Sequence, residues 1–278
     1  MLLNLSSACL YMFPLRRVFA LAADHGYDGI ELVMAPEVCL KGVAYVRALV
    51  REYGVPVLSV HQSMLPFCPL GAGPARMRDA VLAAQALECP VVVVHDPFTT
   101  SWESAAARRW MRELERCLDL VQDSVTQLSL ENPGWYRQSD GNNVFAQPFA
   151  LLSFARRYGL DVTYDTCHAG SAELGVAPVY DVLRERVSNV HLSDLKPGSP
   201  PLGLPLLRTL MIHHQMPGEG QLPLAPFVTQ LAEDGYAGPV TLEISMTALQ
   251  VWSRRSLGKR LAQAAAYVRS AALAASAA

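Results

Sequence analysis

The chain alternates short apolar runs with longer amphipathic segments, and this alternation constrains its fold more than any other feature. Runs with the length and composition of strands are Leu2–Leu5, Gly29–Val33, Pro56–His61, Pro90–His95, Gln127–Glu131, Asp161–Asp165, Asn189–Ser193 and Pro239–Ile244. Segments with helical periodicity are Leu15–His25, Val43–Tyr53, Ala75–Leu87, Glu103–Asp123, Pro148–Tyr158, Val179–Arg186, Leu224–Glu233 and Leu257–Leu273. Strands that alternate with helices predict parallel βα units. Eight such units in 278 residues predict one α/β domain over residues 1–278, a (β/α)8 TIM barrel, in preference to an open doubly wound sheet.

The composition narrows the class of protein. With 51% hydrophobic and 17% charged residues the chain can build a sizeable core, which excludes a disordered protein. No apolar stretch reaches the roughly 18 residues of a membrane span, and the N-terminus lacks the basic start of a signal peptide. The cysteines form no CxxC pair, as is typical of thiols in a reducing compartment: Cys9, Cys39, Cys68, Cys89, Cys117 and Cys167. We therefore expect a cytoplasmic protein with no membrane partner, and the sequence leaves open whether it forms a homo-oligomer.

Polar side chains end most of the predicted strands. The strand ends carry His61, His95, Glu131, Asp165, His191 and Glu243, and His168 and His214 follow shortly after two of the strands. Because the carboxyl ends of barrel strands meet at one rim, we expect these three carboxylates and five imidazoles to lie together. A lone histidine after a run of valines is more often a core residue, and a single Asp or Glu often caps the next helix.

The whole set is harder to explain as structure, because an apolar rim crowded with polar groups is costly unless something satisfies them. Carboxylate oxygens and neutral imidazoles are natural ligands of divalent metals, so the pattern predicts a metal centre. Mn, Zn, Co and Mg all remain open as the ion. No Gly-x-Ser-x-Gly elbow supports a serine nucleophile, and the loop Met216–Gly220 fits neither a Walker loop nor a dinucleotide fingerprint. Asp194 and Lys196 are either substrate contacts or a solvated loop pair.

Five motifs in order along the chain carry a resemblance: Glu131-Asn132-Pro133, Asp165-Thr166-Cys167-His168-Ala169, His191-Leu192-Ser193-Asp194, Pro217-Gly218-Glu219-Gly220 and Leu242-Glu243. With them the chain resembles the xylose isomerase-like TIM barrels, from the GYDGIEL segment of strand two to the LEIS segment of strand eight. That superfamily contains sugar isomerases and epimerases, and also abasic-site nucleases of the endonuclease IV type.

The epimerase branch implies one divalent cation held by Glu131, Asp165, His191 and Glu243. Glu131 and Glu243 would also be the catalytic acid/base pair, and the substrate would be a small sugar or related polyol. The resemblance further implies that His168 contacts the substrate, and we expect Lys196 and Glu219 to do so as well.

The nuclease branch implies three zinc ions and adds His61, His95 and His214 to the same ligands. Its strand-seven loop carries an Asp two residues before the last histidine, where this chain has Ile212, and its histidine in the first strand region is missing too. His61, His95, His168 and His214 are therefore expected to hold either a second metal or the substrate.

Charge favours the sugar enzyme over the nuclease. The net charge is −2, and the basic residues occur at most in short pairs such as Arg108-Arg109 and Arg254-Arg255, without the basic stripe of a nucleic-acid surface. Nucleic acid is thus an unlikely but open partner, beside a small carbohydrate. A third reading, a barrel that has lost its chemistry, is disfavoured by the retained carboxylates.

Overall fold

The fold of the chain is a closed barrel of eight parallel strands in chain order, in which β8 pairs with β1. It is seen in a computed structural model that describes residues 1–63, 75–198 and 205–275. The strands are β1 Leu2–Ser6, β2 Gly29–Val33, β3 Val57–His61, β4 Val91–Val94, β5 Gln127–Glu131, β6 Asp161–Asp165, β7 Val187–Leu192 and β8 Pro239–Leu242. The predicted (β/α)8 barrel is confirmed, and each predicted strand lies within two residues of its observed bounds.

Helices connect the strands. They are α1 Leu15–Asp24, α2 Pro36–Tyr53, α3 Ala75–Leu87, α4 Ala105–Val121, α5 Pro148–Tyr158, α6 Thr166–Ser171, α7 Val176–Leu183, α8 Pro205–Met211, α9 Leu224–Glu233, α10 Met246–Leu249 and α11 Arg254–Ala275. Helix α2 begins well before the predicted Val43, because Pro36 suits a first helical turn. Gly42, at φ 73°, then kinks the helix where the sequence pattern placed its start. Short 3-10 helices span Ser7–Leu10, Gln138–Asn142 and Arg184–Arg186.

Alternation along each strand sorts apolar from polar side chains. Leu3, Ile30 and Val92 are examples of the buried apolar residues of the core. The alternate positions hold buried polar residues that hydrogen-bond to one another across the barrel interior: Asn4, Glu31, Ser59, Ser129, Thr163, Asn189 and Thr241. TIM-barrel interiors are usually filled by branched apolar residues. Here a polar network forms the floor beneath the strand ends.

The described part of the chain bears on two expectations, the reduced state of the cysteines and the lack of a membrane span. Cys9, Cys39, Cys89, Cys117 and Cys167 form no disulfide there, whereas Cys68 lies outside the described residues. Among the helices of the described residues, none is both long enough and apolar enough to cross a bilayer.

Candidate active site

His191 is the centre of the predicted cluster at the carboxyl ends of the strands. Its Nδ1 lies 3.0 Å from Glu131 Oε1, 3.0 Å from Glu243 Oε2 and 3.8 Å from Asp165 Oδ2. One ligand atom from each of the four residues lies within 4.8 Å of those of the others. Strands β5, β6 and β7 and the segment that follows β8 thus each contribute one of the four side chains.

This arrangement fits a divalent cation. Asp165 is fully buried, yet its Oδ2 has no hydrogen-bond partner, and an unpartnered buried carboxylate oxygen is costly. Burial raises the pKa of Asp165 and outweighs the lowering effect of His168 and His214. Three carboxylates and one imidazole around one point form a donor set that Zn²⁺ or Mn²⁺ takes.

Glu31 of β2 contacts the His191 ring on the side opposite the other carboxylates. The sequence pattern did not identify it as a site residue. Its Oε2 lies 3.0 Å from His191 Nε2 and accepts a hydrogen bond from Ser59 Oγ at 2.9 Å. In the neutral ring, the N–H at Nε2 donates to Glu31 and the lone pair of Nδ1 faces the other carboxylates. Burial opposes a charge on His191, but Glu31, Glu243 and Glu131 outweigh it and raise its pKa well above the ordinary value. The same negative field attracts a metal cation.

A second group shares Glu131 with the first. His95 Nε2 lies 3.0 Å from Glu131 Oε2, His61 Nε2 lies 3.8 Å from the same oxygen, and the two Nε2 atoms are 3.1 Å apart. His61 Nδ1 is 2.6 Å from the carbonyl oxygen of Gln62, so the proton on Nδ1 leaves Nε2 free to accept or to ligate. Burial opposes ionisation of Glu131, but His95 and His191 outweigh it and hold its pKa well below the ordinary value. Glu131 therefore faces imidazoles with both of its oxygens, His191 at Oε1 and the pair of His95 and His61 at Oε2.

A third group combines Asp165 with His168 and His214. Asp165 caps the N-terminus of helix α6, and its Oδ1 accepts the backbone N–H of His168 at 2.7 Å. His168 Nδ1 lies 2.9 Å from the carbonyl oxygen of Asn132, and its Nε2 lies 3.2 Å from the hydroxyl of Tyr136. His214 sits in the left-handed region at φ 50°, a conformation that side chains other than glycine adopt at a cost. A strained backbone at this histidine is consistent with a functional position.

The strand-seven loop differs from the nuclease pattern as the sequence indicated. Ile212 is half-buried, and its carbonyl oxygen accepts the backbone N–H of Lys196 at 2.9 Å. The third group thus consists of three donors, because Ile212 adds no carboxylate to them.

Two predicted substrate residues and one loop residue lie apart from these groups. Lys196 is half-buried beside Ile212. Glu219 is exposed and ion-paired with Arg260 of α11 at 2.8 Å, so the structure does not bring it to the cluster. Asp194, the other open case, is fully buried and accepts backbone N–H groups of the Gly218–Leu222 loop, which makes it the anchor of that loop.

A cavity of about 570 Å³ adjoins the cluster, and Glu243, His214 and Tyr136 form part of its lining. Tyr136 is a second residue that the sequence did not reveal, since it lies in a loop after β5 without a motif of its own. Its ring stacks on that of His213 at 4.6 Å, which together with the bond to His168 fixes its hydroxyl at the edge of the cavity. The arrangement can therefore receive a small molecule directly above the carboxylates.

The family model described as Xylose isomerase-like TIM barrel matches residues 19–271. An uncharacterised protein of Mycobacterium leprae (strain TN) is 31% identical over 276 residues, which cover 91% of this chain and 91% of that protein. Fructoselysine 3-epimerase of Escherichia coli O157:H7 is 22% identical over 252 residues, with 83% of this chain and 86% of the enzyme covered. A solved structure of a D-tagatose 3-epimerase-like protein superposes with a TM-score of 0.72 at 22% identity, over 98% of both chains, and this likeness shows the fold alone.

Proposed function

The chain belongs to the family of xylose isomerase-like TIM barrels, and we propose that within it this protein is a divalent-metal-dependent epimerase or isomerase of a small ketose. The observation that carries the proposal is the pair Glu131 and Glu243, whose oxygens each lie 3.0 Å from His191 Nδ1. The two glutamates come from β5 and from the end of β8, and they face one point from different sides of the barrel. The names of two relatives, a fructoselysine 3-epimerase and a D-tagatose 3-epimerase-like protein, support the same class of reaction.

The two carboxylates perform the proton transfer in this mechanism. Epimerisation next to a carbonyl removes a proton from one face of the carbon and returns one to the other face, so it needs two groups on opposite sides. Burial works against ionisation of Glu243, but His191 and His214 hold its pKa below the ordinary value. His95 and His191 do the same for Glu131, so at neutral pH each glutamate can accept a proton. One glutamate removes the proton from the substrate, and the other, after it has taken up a proton from solvent, returns one to the opposite face of the carbon.

A divalent cation would be held by Glu131, Asp165, His191 and Glu243. When bound, it supplies a Lewis acid that polarises the substrate carbonyl and offsets the charge that develops on its oxygen. Tyr136 lines the cavity, and its hydroxyl lies 3.2 Å from His168 Nε2, so we expect these two side chains to orient hydroxyl groups of the substrate.

Exchange of solvent deuterium into a ketose tests the proposal. The wild type is expected to incorporate deuterium at the carbon next to the carbonyl in at least one of a panel of small ketoses. Glu131→Gln and Glu243→Gln keep the size of each side chain but cannot take up the proton at neutral pH, so both should abolish exchange. Glu233→Gln, an exposed residue at the end of α9, is the matched control and should exchange like the wild type.

Metal content is measured on the same preparations. Asp165→Ala and His191→Ala should lose most of the bound metal while the fold is retained, since each removes one of four ligands. Unchanged metal content in both variants would refute the ligand set, and undiminished exchange in both glutamine variants would refute the acid/base pair.

A second candidate function is a phosphodiesterase of the endonuclease IV type. The observation in its favour is the shared ligands: Glu131 belongs to both the first and second groups, and Asp165 to both the first and third. Adjacent metals can activate a water and stabilise the leaving oxygen of a phosphodiester. Three metals per chain together with nicking of an abasic duplex would favour this function, whereas one metal with ketose exchange favours the epimerase.

A further inference from the structure

The cavity beside Glu243 has two chemically different ends. Glu243, His214 and Tyr136 form a polar end that adjoins the cluster. The remaining described lining is mainly apolar and includes Leu10, Phe13, Val18, Val33, Leu210 and Met246. At about 570 Å³ the cavity lies in the range, roughly 300–1,000 Å³, that receives ligands larger than a single sugar ring.

Ser7 and Glu37, two polar residues that also line the cavity, already have partners in the protein. Ser7 Oγ accepts the backbone N–H of Val33 at 2.8 Å. Glu37 accepts the backbone N–H of Leu15 at 2.7 Å and is paired with Lys41 at 2.7 Å. A sugar has a hydroxyl on nearly every carbon, and each hydroxyl that leaves water without a new partner carries a penalty. The apolar end is therefore a poor place for the body of a free sugar.

The apolar surface continues from the cavity to the outside. Phe13 and Met246 also line a neighbouring cavity of about 470 Å³, together with Met12 and Trp252 and with the charged residues Arg17 and Arg254. Met12 is 65% exposed and Trp252 is 72% exposed, which leaves two large apolar side chains in water at the rim. Contiguous exposed apolar surface next to a candidate active site is typical of a ligand-binding groove. A ligand seated on the cluster would thus meet mainly apolar contacts on the way out, beside Arg17 and Arg254 in the wall of the outer cavity.

We infer that the substrate is a ketose derivative that carries an uncharged apolar substituent, with the ketose at Glu243, His214 and Tyr136 and the substituent against Phe13, Val33 and Met246. The inference rests on the proposed function for the identity of the polar half. The assignment of the apolar half stands on the lining of the cavity.

Binding of inert probes tests the apolar half. Methyl, butyl and hexyl fructosides have a blocked carbonyl and are not turned over, so calorimetry measures their affinity directly. Each methylene that enters the cavity should strengthen binding about four-fold, which makes butyl fructoside tighter than methyl fructoside by well over tenfold. The straight-chain alcohols butanol and hexanol probe the same surface without the sugar.

Two near-isosteric variants put polarity into the wall. Val33→Thr and Met246→Gln should remove most of the dependence on chain length while the affinity for methyl fructoside stays near that of the wild type. Met211→Gln is the control, because Met211 is exposed on α8 and does not line the cavity.

Equal affinity of the wild type for all three fructosides, or an undiminished chain-length dependence in both wall variants, would overturn the inference. The proposed function is judged separately by deuterium exchange into free ketoses. Chain-length dependence without exchange would support the apolar site and refute the epimerase, whereas exchange without chain-length dependence would do the reverse.

Discussion

Replacement of Glu31 is expected to weaken metal binding although Glu31 is not among the four proposed ligands. The carboxylate is fully buried and lies 3.0 Å from His191 Nε2, where it fixes the proton on that nitrogen and directs Nδ1 to Glu131, Asp165 and Glu243. Loss of such a partner behind a metal-binding histidine typically lowers metal affinity by about 10- to 100-fold, or about 1.4–2.7 kcal/mol.

The contacts of Glu31 indicate where in this range each variant falls. Ser59 Oγ donates to the same oxygen as His191, so the amide oxygen of Glu31→Gln is held in place and still accepts from Nε2. Only the negative charge is lost, and we expect a reduction of about tenfold. Glu31→Ala removes the acceptor as well and frees the imidazole to exchange its tautomers, so the loss should approach about 100-fold.

Competition between the apo-protein and a chelator for Zn²⁺ or Mn²⁺ measures these affinities. Glu113→Gln is the control, because Glu113 is a buried acid on α4 outside the three ligand groups. Thermal melting establishes that each variant is folded. Wild-type metal affinity in folded Glu31→Gln and Glu31→Ala would refute the argument, since the orientation of His191 would then not depend on Glu31.

Three further predictions concern single side chains. Ile212→Asp should raise the number of metals bound per chain, because a carboxylate joins Asp165, His168 and His214; an unchanged count with a lower Tm would mean that Ile212 is a packing residue. Gly134→Ala should slow deuterium exchange by about 100-fold with metal content unchanged, because the new Cβ would lie 2.4 Å from His168 Cδ2 and displace the ring. Exchange at the wild-type rate would show that the position of His168 does not matter. Asp161→Asn should raise the Tm at pH 7. Burial raises the pKa of Asp161, so the folded state is destabilised relative to the unfolded state as the pH rises above the ordinary carboxyl pKa of about 4. In a series of melting curves, the gain in Tm should vanish below that pH.

Strand bounds were predictable because a barrel strand leaves a simple signal. Each strand is a short apolar run, and the helix before it often stops at a glycine such as Gly54 or Gly159, which adopt φ 67° here. Short helices leave no such signal: α6, α8 and α10 span four to seven residues, too few for a helical period to appear. The start of α2 was not predicted because a glycine such as Gly42 usually interrupts a helix. In the structure the helix continues past Gly42 with a kink.

The site was predictable where a polar residue ends a strand, and harder to see elsewhere. Glu131, Asp165, His191 and Glu243 follow apolar residues at the carboxyl end, so their position alone indicates the rim. Glu31 lies within the strand segment Gly29–Val33, between Ile30 and Leu32. The strand pattern accounts for its position, so nothing there indicates a site residue. The available signal was the charge itself, since an acid between two buried apolar residues of a strand must face the barrel interior and find a partner there.

The loop after β7 has a consequence for how such a barrel can diverge. Asp194 accepts the backbone N–H groups of Gly218, Gly220 and Leu222 at 2.9–3.0 Å, so the path of the loop is set by main-chain atoms and one buried carboxylate. Gly220 cannot vary, because a Cβ there would lie 2.3 Å from Asp194 Oδ1. The side chain of Glu219 between them is exposed and pairs with Arg260, not with Asp194. In such a loop an outward-facing side chain can be substituted during evolution while the backbone path stays constant. New side-chain chemistry can therefore arise at the rim without a change in the loop conformation.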